Sequence, residues 1–357
     1  MLGISVYLSK ENVEFNRNWI KKASENGFSS IFTSLHIPEE NPELYKEQLY
    51  NIGREAKNYK MRLFVDIAPH SLEYIGLNPS SAGCLREWGV TGLRADYGFG
   101  VNEIVKLSHS LNVCLNASTL TKEFLDELIH SGLNVENTTA IHNFYPRPET
   151  GLGKEYFVVQ NRFLKNRGID VAAFIAGDGI KRQPLYKGLP TLESHRYVSP
   201  VEAYLELTKS CYVDHVFVGD LSLSEETLTK MSFLKKEIIP IRFHAFLTEE
   251  YAEVYDFLNS VQRNRPDPAR DVVRIENSRL RFHNNQKVLE PNNTVERKKG
   301  SVTIDNLHYG RYAGEIHIAL KDLPADPCVN VIGQVTGEDL PLLHYIDGGT
   351  QFLLIKV

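Results

Sequence analysis

Short apolar runs rich in β-branched and aromatic residues recur along the first two thirds of the chain, separated by amphipathic or charged segments. Runs of the first kind read as buried strands and segments of the second kind as helices. Strands are predicted at Leu2–Tyr7, Ser29–Ser34, Arg62–Ile67, Gly92–Asp96, Val113–Asn116, Asn137–Ile141, Val171–Ala176 and His215–Val218. Helical segments are predicted at Val13–Asn26, Pro42–Tyr59, Cys84–Trp88, Asn102–Ser110, Lys122–His130, Lys154–Asn166, Val201–Lys209 and Glu225–Lys235. Thr121 before Lys122 and Ser199 before Pro200 are N-cap arrangements, while Gly27, Gly132 and Gly168 stand where a left-handed C-cap is wanted.

Eight such βα units in roughly 235 residues match the requirement of a (β/α)8 TIM barrel, whose parallel strands are short and apolar because both faces are covered. A doubly wound sheet would carry a phosphate-cradling glycine loop after its first strand, and Leu8-Ser9-Lys10-Glu11 is not one. From about Lys236 the pattern changes to short β-like runs, at Ile238–Leu247, Ser301–Asp305, Gly314–Leu320, Val329–Val335, Leu342–Ile346 and Phe352–Val357. The expected α/β architecture is therefore a barrel over residues 1–240 followed by a small, mostly β domain over 241–357.

Composition narrows the function classes. A net charge of −5 with 24% charged residues provides no basic field, so nucleic acid is not an expected partner. The start, MLGISVYLSK, runs straight into an apolar strand without a basic n-region and apolar h-region, and no stretch is long enough to span a bilayer. Cys84, Cys114, Cys211 and Cys328 lie far apart with neither disulfide nor zinc spacing. A cytoplasmic location without membrane association is expected.

Barrel enzymes react at the carboxyl ends of their strands. Just past those ends stand Tyr7, His36, Asp66, His70, Arg94, Asp96, Asn116, Ser118, His142 to Arg147, Asp178 and Asp220. The stretch TAIHNFYPRPETGLG (139–153) is a stiff polar loop in which Pro146 and Pro148 forbid helix. The stretch GLPTLESHR (188–196) places Glu193, His195 and Arg196 within four positions, in a loop too long for a minimal connection. Arg147 and Arg196 are candidates for gripping a phosphate bidentately. A metal site built from His36, His142, His195 and Asp220 ranks lower, because no close-spaced ligand pair exists, and neither Ser118 nor Ser194 sits in a nucleophile elbow. Carboxylates are plentiful, and two of them flanking a bond are what glycoside hydrolysis needs.

The stretches HNFYPRPETGLG, GLPTLESHR, LRADYGF (93–99), NRPDPARDVVR (264–274) and TIDNLHYGRYAGEIHI (303–318) resemble the bacterial 6-phospho-N-acetylmuramidases over essentially the whole chain. The resemblance implies a TIM barrel with a C-terminal cyclophilin-like β domain. It also implies hydrolysis of the β-1,4 bond of N-acetylmuramic acid 6-phosphate–N-acetylglucosamine in cell-wall recycling. The substrate is then a phosphorylated amino-sugar disaccharide, no cofactor or metal is called for, and a homo-oligomer stays open. Asp96, Asp178 and Glu193 form the expected catalytic pool. His36, Asp66, Asn116, His142, Asn143, Tyr145, Arg147, His195, Arg196, Asp220 and Arg311 are expected to bind substrate. Two alternatives remain: another phosphosugar enzyme, an isomerase or metal-dependent hydrolase, and a non-catalytic phosphosugar sensor.

Overall fold

A computed structural model describes residues 1–35, 42–79, 81–95, 98–246, 249–282 and 289–357. The chain divides into two compact units, Met1–Thr229 and Lys230–Val357.

The first unit is a closed barrel of eight parallel strands in sequential order: β1 (Leu2–Ser5), β2 (Ser30–Ser34), β3 (Arg62–Ile67), β4 (Gly92–Ala95), β5 (Asn112–Asn116), β6 (Thr138–Ile141), β7 (Asp170–Ile175) and β8 (His215–Val218). β1 closes the ring against β8, pairing Gly3 with Phe217. The expected TIM barrel is thus observed, with strand bounds within about two residues of the sequence reading. Thr121 accepts from the Phe124 N–H and Ser199 from the Glu202 N–H, as their cap positions require. Cys84–Trp88, expected to be helical, is instead a 3-10 helix over Ala82–Arg86 followed by a turn at Glu87 and Trp88, and a short helix at Pro69–Glu73 had no separate signal.

Alternation along each strand decides which side chains enter the barrel. Phe32, Phe64, Cys114, Ile141, Ala172, Phe174 and Phe217 form its buried core, with Phe32 and Phe174 packed edge to face at 5.0 Å. Gly3 makes room for Phe217: a Cβ there would lie 2.3 Å from a ring carbon. Gly92 likewise faces inward, where a Cβ would lie 2.5 Å from the Phe64 ring, and counting on by two from these positions puts Tyr7, Ser34, Asp66, Arg94, Asn116 and Asn143 inward at the strand ends.

The second unit is a seven-stranded sheet with the order β10-β15-β9-β14-β12-β13-β11. Its strands are β9 (Ile238–Ala245), β10 (Gln262–Arg263), β11 (Val272–Arg274), β12 (Ser301–Asp305), β13 (Ile316–Ala319), β14 (Val329–Val335) and β15 (Gln351–Lys356). Pairing is antiparallel except between β9 and β15. The run Leu342–Ile346, read as a strand, is instead part of a 3-10 helix over Leu340–Tyr345; Pro341 at its start cannot donate to a sheet ladder.

Candidate active site

The inward ring at the carboxyl end of the barrel is polar. Asp66 on β3 and Arg94 on β4 are both almost wholly buried, and the Arg94 Nη1 donates to Asp66 Oδ1 at 2.8 Å. Ser34 Oγ donates to the other Asp66 oxygen at 3.3 Å, while Arg94 Nη2 donates to Asn143 Oδ1 at 2.5 Å and its Nε to the Ile141 carbonyl at 3.3 Å. Register explains the pairing, since Ser34 stands opposite Asp66 and Asp66 opposite Arg94. Phe144, half-buried, packs edge-on against Phe174 at 5.1 Å and so joins the aromatic core of the barrel. Across the mouth the Tyr7 hydroxyl donates to the Gly219 carbonyl, and the Arg182 guanidinium lies 4.5 Å from the Tyr7 ring centroid.

Several expected site residues hold loops in place rather than face this mouth. His142 is fully buried on the outer side of β6, with Nδ1 3.1 Å from Ser118 Oγ, Nε2 2.8 Å from Asn161 Oδ1, and its ring against Phe157. Burial pushes its imidazole down to about 4, against the Asn161 hydrogen bond, so it stays neutral at ordinary pH. His195 is also buried and directs Nε2 at Glu206 Oε2, 2.6 Å away on the helix Pro200–Ser210.

Glu193 and Arg196 form a bidentate pair, with both contacts at 2.6 Å. Each Glu193 oxygen also accepts a backbone N–H, Oε1 from Glu149 and Oε2 from Gly151. The Arg196 hydrogen bonds, followed by these backbone donors, pull the Glu193 carboxyl down to about 2. Arg196 itself is fully buried and donates onward to the carbonyls of Gly188 and Arg147. These contacts join the stretches 142–153 and 188–196 into one structural block, together with the Tyr145 N–H on Pro190 and the Leu152 N–H on Thr191. Gly151 is required at this seam, because a Cβ there would sit 2.7 Å from the Glu193 nitrogen. So placed, Glu193 suits a latch better than a proton donor, and Arg196 has no side facing out to meet a phosphate.

Asp220 is fully buried and accepts the N–H groups of Gly177, Arg182 and Leu189, pinning the long loop after β7; burial raises its carboxyl above the usual range despite these donors. Asp178 is exposed and caps the helix Glu225–Leu234, accepting from Ser224 and Thr227. Asn116 Oδ1 accepts the Ser118 N–H. Tyr145 is half-buried and Arg147 exposed on the same block. Arg311 lies in the second unit, exposed, with Nη2 on the Tyr312 hydroxyl at 2.6 Å. His36 and Asp96 lie outside the described residues. Of the expected residues, Asp66 and Asn143 are those brought to the inward cluster, joined there by Arg94, which the sequence reading placed on the rim without a role, and by Ser34, which it did not single out. Strand alternation was the signal for both.

Among the described residues no helix is long and apolar enough to cross a membrane. Residues 2–233 match the family model described as 6-phospho-N-acetylmuramidase, N-terminal, and residues 239–355 the one described as 6-phospho-N-acetylmuramidase, C-terminal. A conserved protein of unknown function from Enterococcus faecalis is 39% identical in sequence, with a TM-score of 0.87 over 100% of this chain and 96% of its own. An uncharacterized B. cereus protein is 29% identical, with a TM-score of 0.80 over 99% of both chains. No curated protein matches.

Proposed function

The chain belongs to the 6-phospho-N-acetylmuramidase family, and from that premise we propose that it hydrolyses the β-1,4 bond of N-acetylmuramic acid 6-phosphate–N-acetylglucosamine at the mouth of its barrel. The observation that carries the reading is the Asp66–Arg94–Asn143 cluster. Among the described residues Asp66 is the one carboxylate on the inward ring, and it stands where barrel enzymes do their chemistry.

In this reading Asp66, fixed by Arg94 and Ser34, faces the positive charge that develops at the anomeric carbon as the leaving oxygen departs. Asp96, the residue after β4 in sequence, protonates that oxygen. In a route in which the substrate's own N-acetyl oxygen attacks the anomeric carbon, Asp96 is the acid, Asp66 orients the N-acetyl group, and water then opens the cyclic intermediate with its proton passing to the Asp96 carboxylate. Asn143 then meets a sugar hydroxyl or the N-acetyl group. The second unit is assigned a cyclophilin-like fold, and the reaction a cytoplasmic place in peptidoglycan recycling.

Purified protein incubated with the phosphorylated disaccharide should release free N-acetylglucosamine, and the unphosphorylated disaccharide should remain intact. Recovery of both disaccharides unchanged would remove the hydrolase reading.

A further inference from the structure

The second unit contains a cavity of about 520 Å³ that the barrel chemistry does not use. Arg265, Asp267, Arg274, Arg279, Glu315 and His317 line it, together with Glu276. Two of the conspicuous sequence stretches supply most of these groups: 264–274 gives Arg265, Asp267 and Arg274, and 303–318 gives Glu315 and His317. Sheet register brings them together, since Arg274 on β11 stands opposite His317 on β13.

The cationic groups are held in place with donors to spare. Asp267 accepts from Arg265 Nε at 3.2 Å and from Arg274 Nη2 at 2.7 Å, so one carboxylate sets two guanidiniums side by side. Arg279 Nη1 lies 3.2 Å from Glu315 Oε1. The side chains of Arg265 and Arg279 are 39% and 41% exposed, and each guanidinium has five N–H donors in a planar fork matched to phosphate oxygens. His317 stands between two acids, with Nε2 3.4 Å from Glu315 Oε2 and Nδ1 3.9 Å from Asp305 Oδ1. Asp305 is buried and accepts no hydrogen bond on its side chain among the described residues; burial pushes it up to about 7.

We propose that this cavity is a binding site for a sugar phosphate, with Arg265, Arg274 and Arg279 gripping the phosphate and Glu315, Glu276 and His317 meeting sugar hydroxyls. Mixed lining is the reason for a sugar phosphate in preference to a bare anion. Three guanidiniums supply donors for phosphate oxygens, while the carboxylates accept from hydroxyls. The volume lies in the range of small-molecule sites and exceeds what a phosphate ion fills. Specifying an amino-sugar 6-phosphate rests on the hydrolase reading. Meanwhile Arg196, one of the two guanidiniums the sequence had offered for a phosphate, is consumed inside the barrel unit, while Arg147 is exposed.

Calorimetric titration of the full chain tests the site without any turnover, because N-acetylglucosamine 6-phosphate has no glycosidic bond to cleave. Wild-type protein should bind this probe, and should bind inorganic phosphate and N-acetylglucosamine each at least about tenfold more weakly. Arg265→Gln and Arg279→Gln, each checked for an unchanged melting temperature, should weaken the sugar phosphate at least about tenfold. Equal affinity in wild type and both arginine variants would overturn the proposal, and so would equal affinity for inorganic phosphate. Binding that depends on the arginines in a protein that cleaves nothing would keep this site and remove the hydrolase reading; cleavage with binding indifferent to them would do the reverse.

Discussion

His142 and Asn143 are consecutive in the chain and face opposite sides of the barrel wall. His142 points outward into a buried niche between Ser118 and Asn161, while Asn143 points inward and accepts from Arg94. The period of two along a strand separates a structural histidine from a site residue one position away. His142→Ala should therefore destabilise the fold by about 2–4 kcal/mol, through a void and a buried Asn161 Oδ1 left unpaired, while Ser118 Oγ keeps the Asn143 N–H, with near-normal turnover in the protein that remains folded. Asn143→Ala should cost less stability and lower activity at least about tenfold. Thermal melts read beside kcat separate the two outcomes.

Acid should find the weakness at His142. Its folded-state pKa is depressed from 6.5 to about 4, so its contribution to stability is present above pH 6.5 and lost as pH falls through 4. Urea midpoints at pH 7 and pH 5 should differ in wild type, and the difference should shrink in His142→Gln. An unchanged difference would show that another group governs the acid limb.

The Glu193–Arg196 latch makes a contrasting prediction. Removing Glu193 leaves a fully buried guanidinium short of its charge partner, a change that costs about 3–5 kcal/mol where such pairs are buried and somewhat less here, where the carboxylate is partly exposed. Because the Glu193 pKa is depressed from 4.5 to about 2, the advantage of wild type over Glu193→Gln should hold above pH 4.5 and fade as pH falls towards 2. If Glu193 were the catalytic acid, the variant would instead lose turnover while melting normally.

The barrel and its polar rim were legible from residues alone, because short strands covered on both faces are nearly continuous apolar runs. Strands β10 and β11, of two and three residues, are too brief to show any period. What stayed hidden was the use of each polar group. Glu193 became a latch through N–H groups at Glu149 and Gly151, more than forty positions away, and Asp220 through loop amides at 177, 182 and 189. Contacts at such separation leave no mark in local pattern. The inward or outward phase of a strand does leave one, and it singles out Arg94 and Ser34.

The same contacts bear on metal dependence. His142 faces Asn161, His195 faces Glu206 and Asp220 is taken up by three backbone amides, so these three residues of the lower-ranked metal reading point to separate partners. Treatment with a chelator should leave turnover within about twofold of the untreated rate. A loss reversed by zinc or manganese would favour a metal-dependent reaction.

The most direct measurement is release of N-acetylglucosamine from the phosphorylated disaccharide by wild type and by Asp66→Asn, each with its melting curve. Asp66 is expected to supply a reaction-centre carboxylate, so the variant should lose about a hundredfold or more in kcat while still melting cooperatively. A folded Asp66→Asn protein that cleaves the disaccharide at the wild-type rate would contradict the assignment of the chemistry to the Asp66–Arg94 pair.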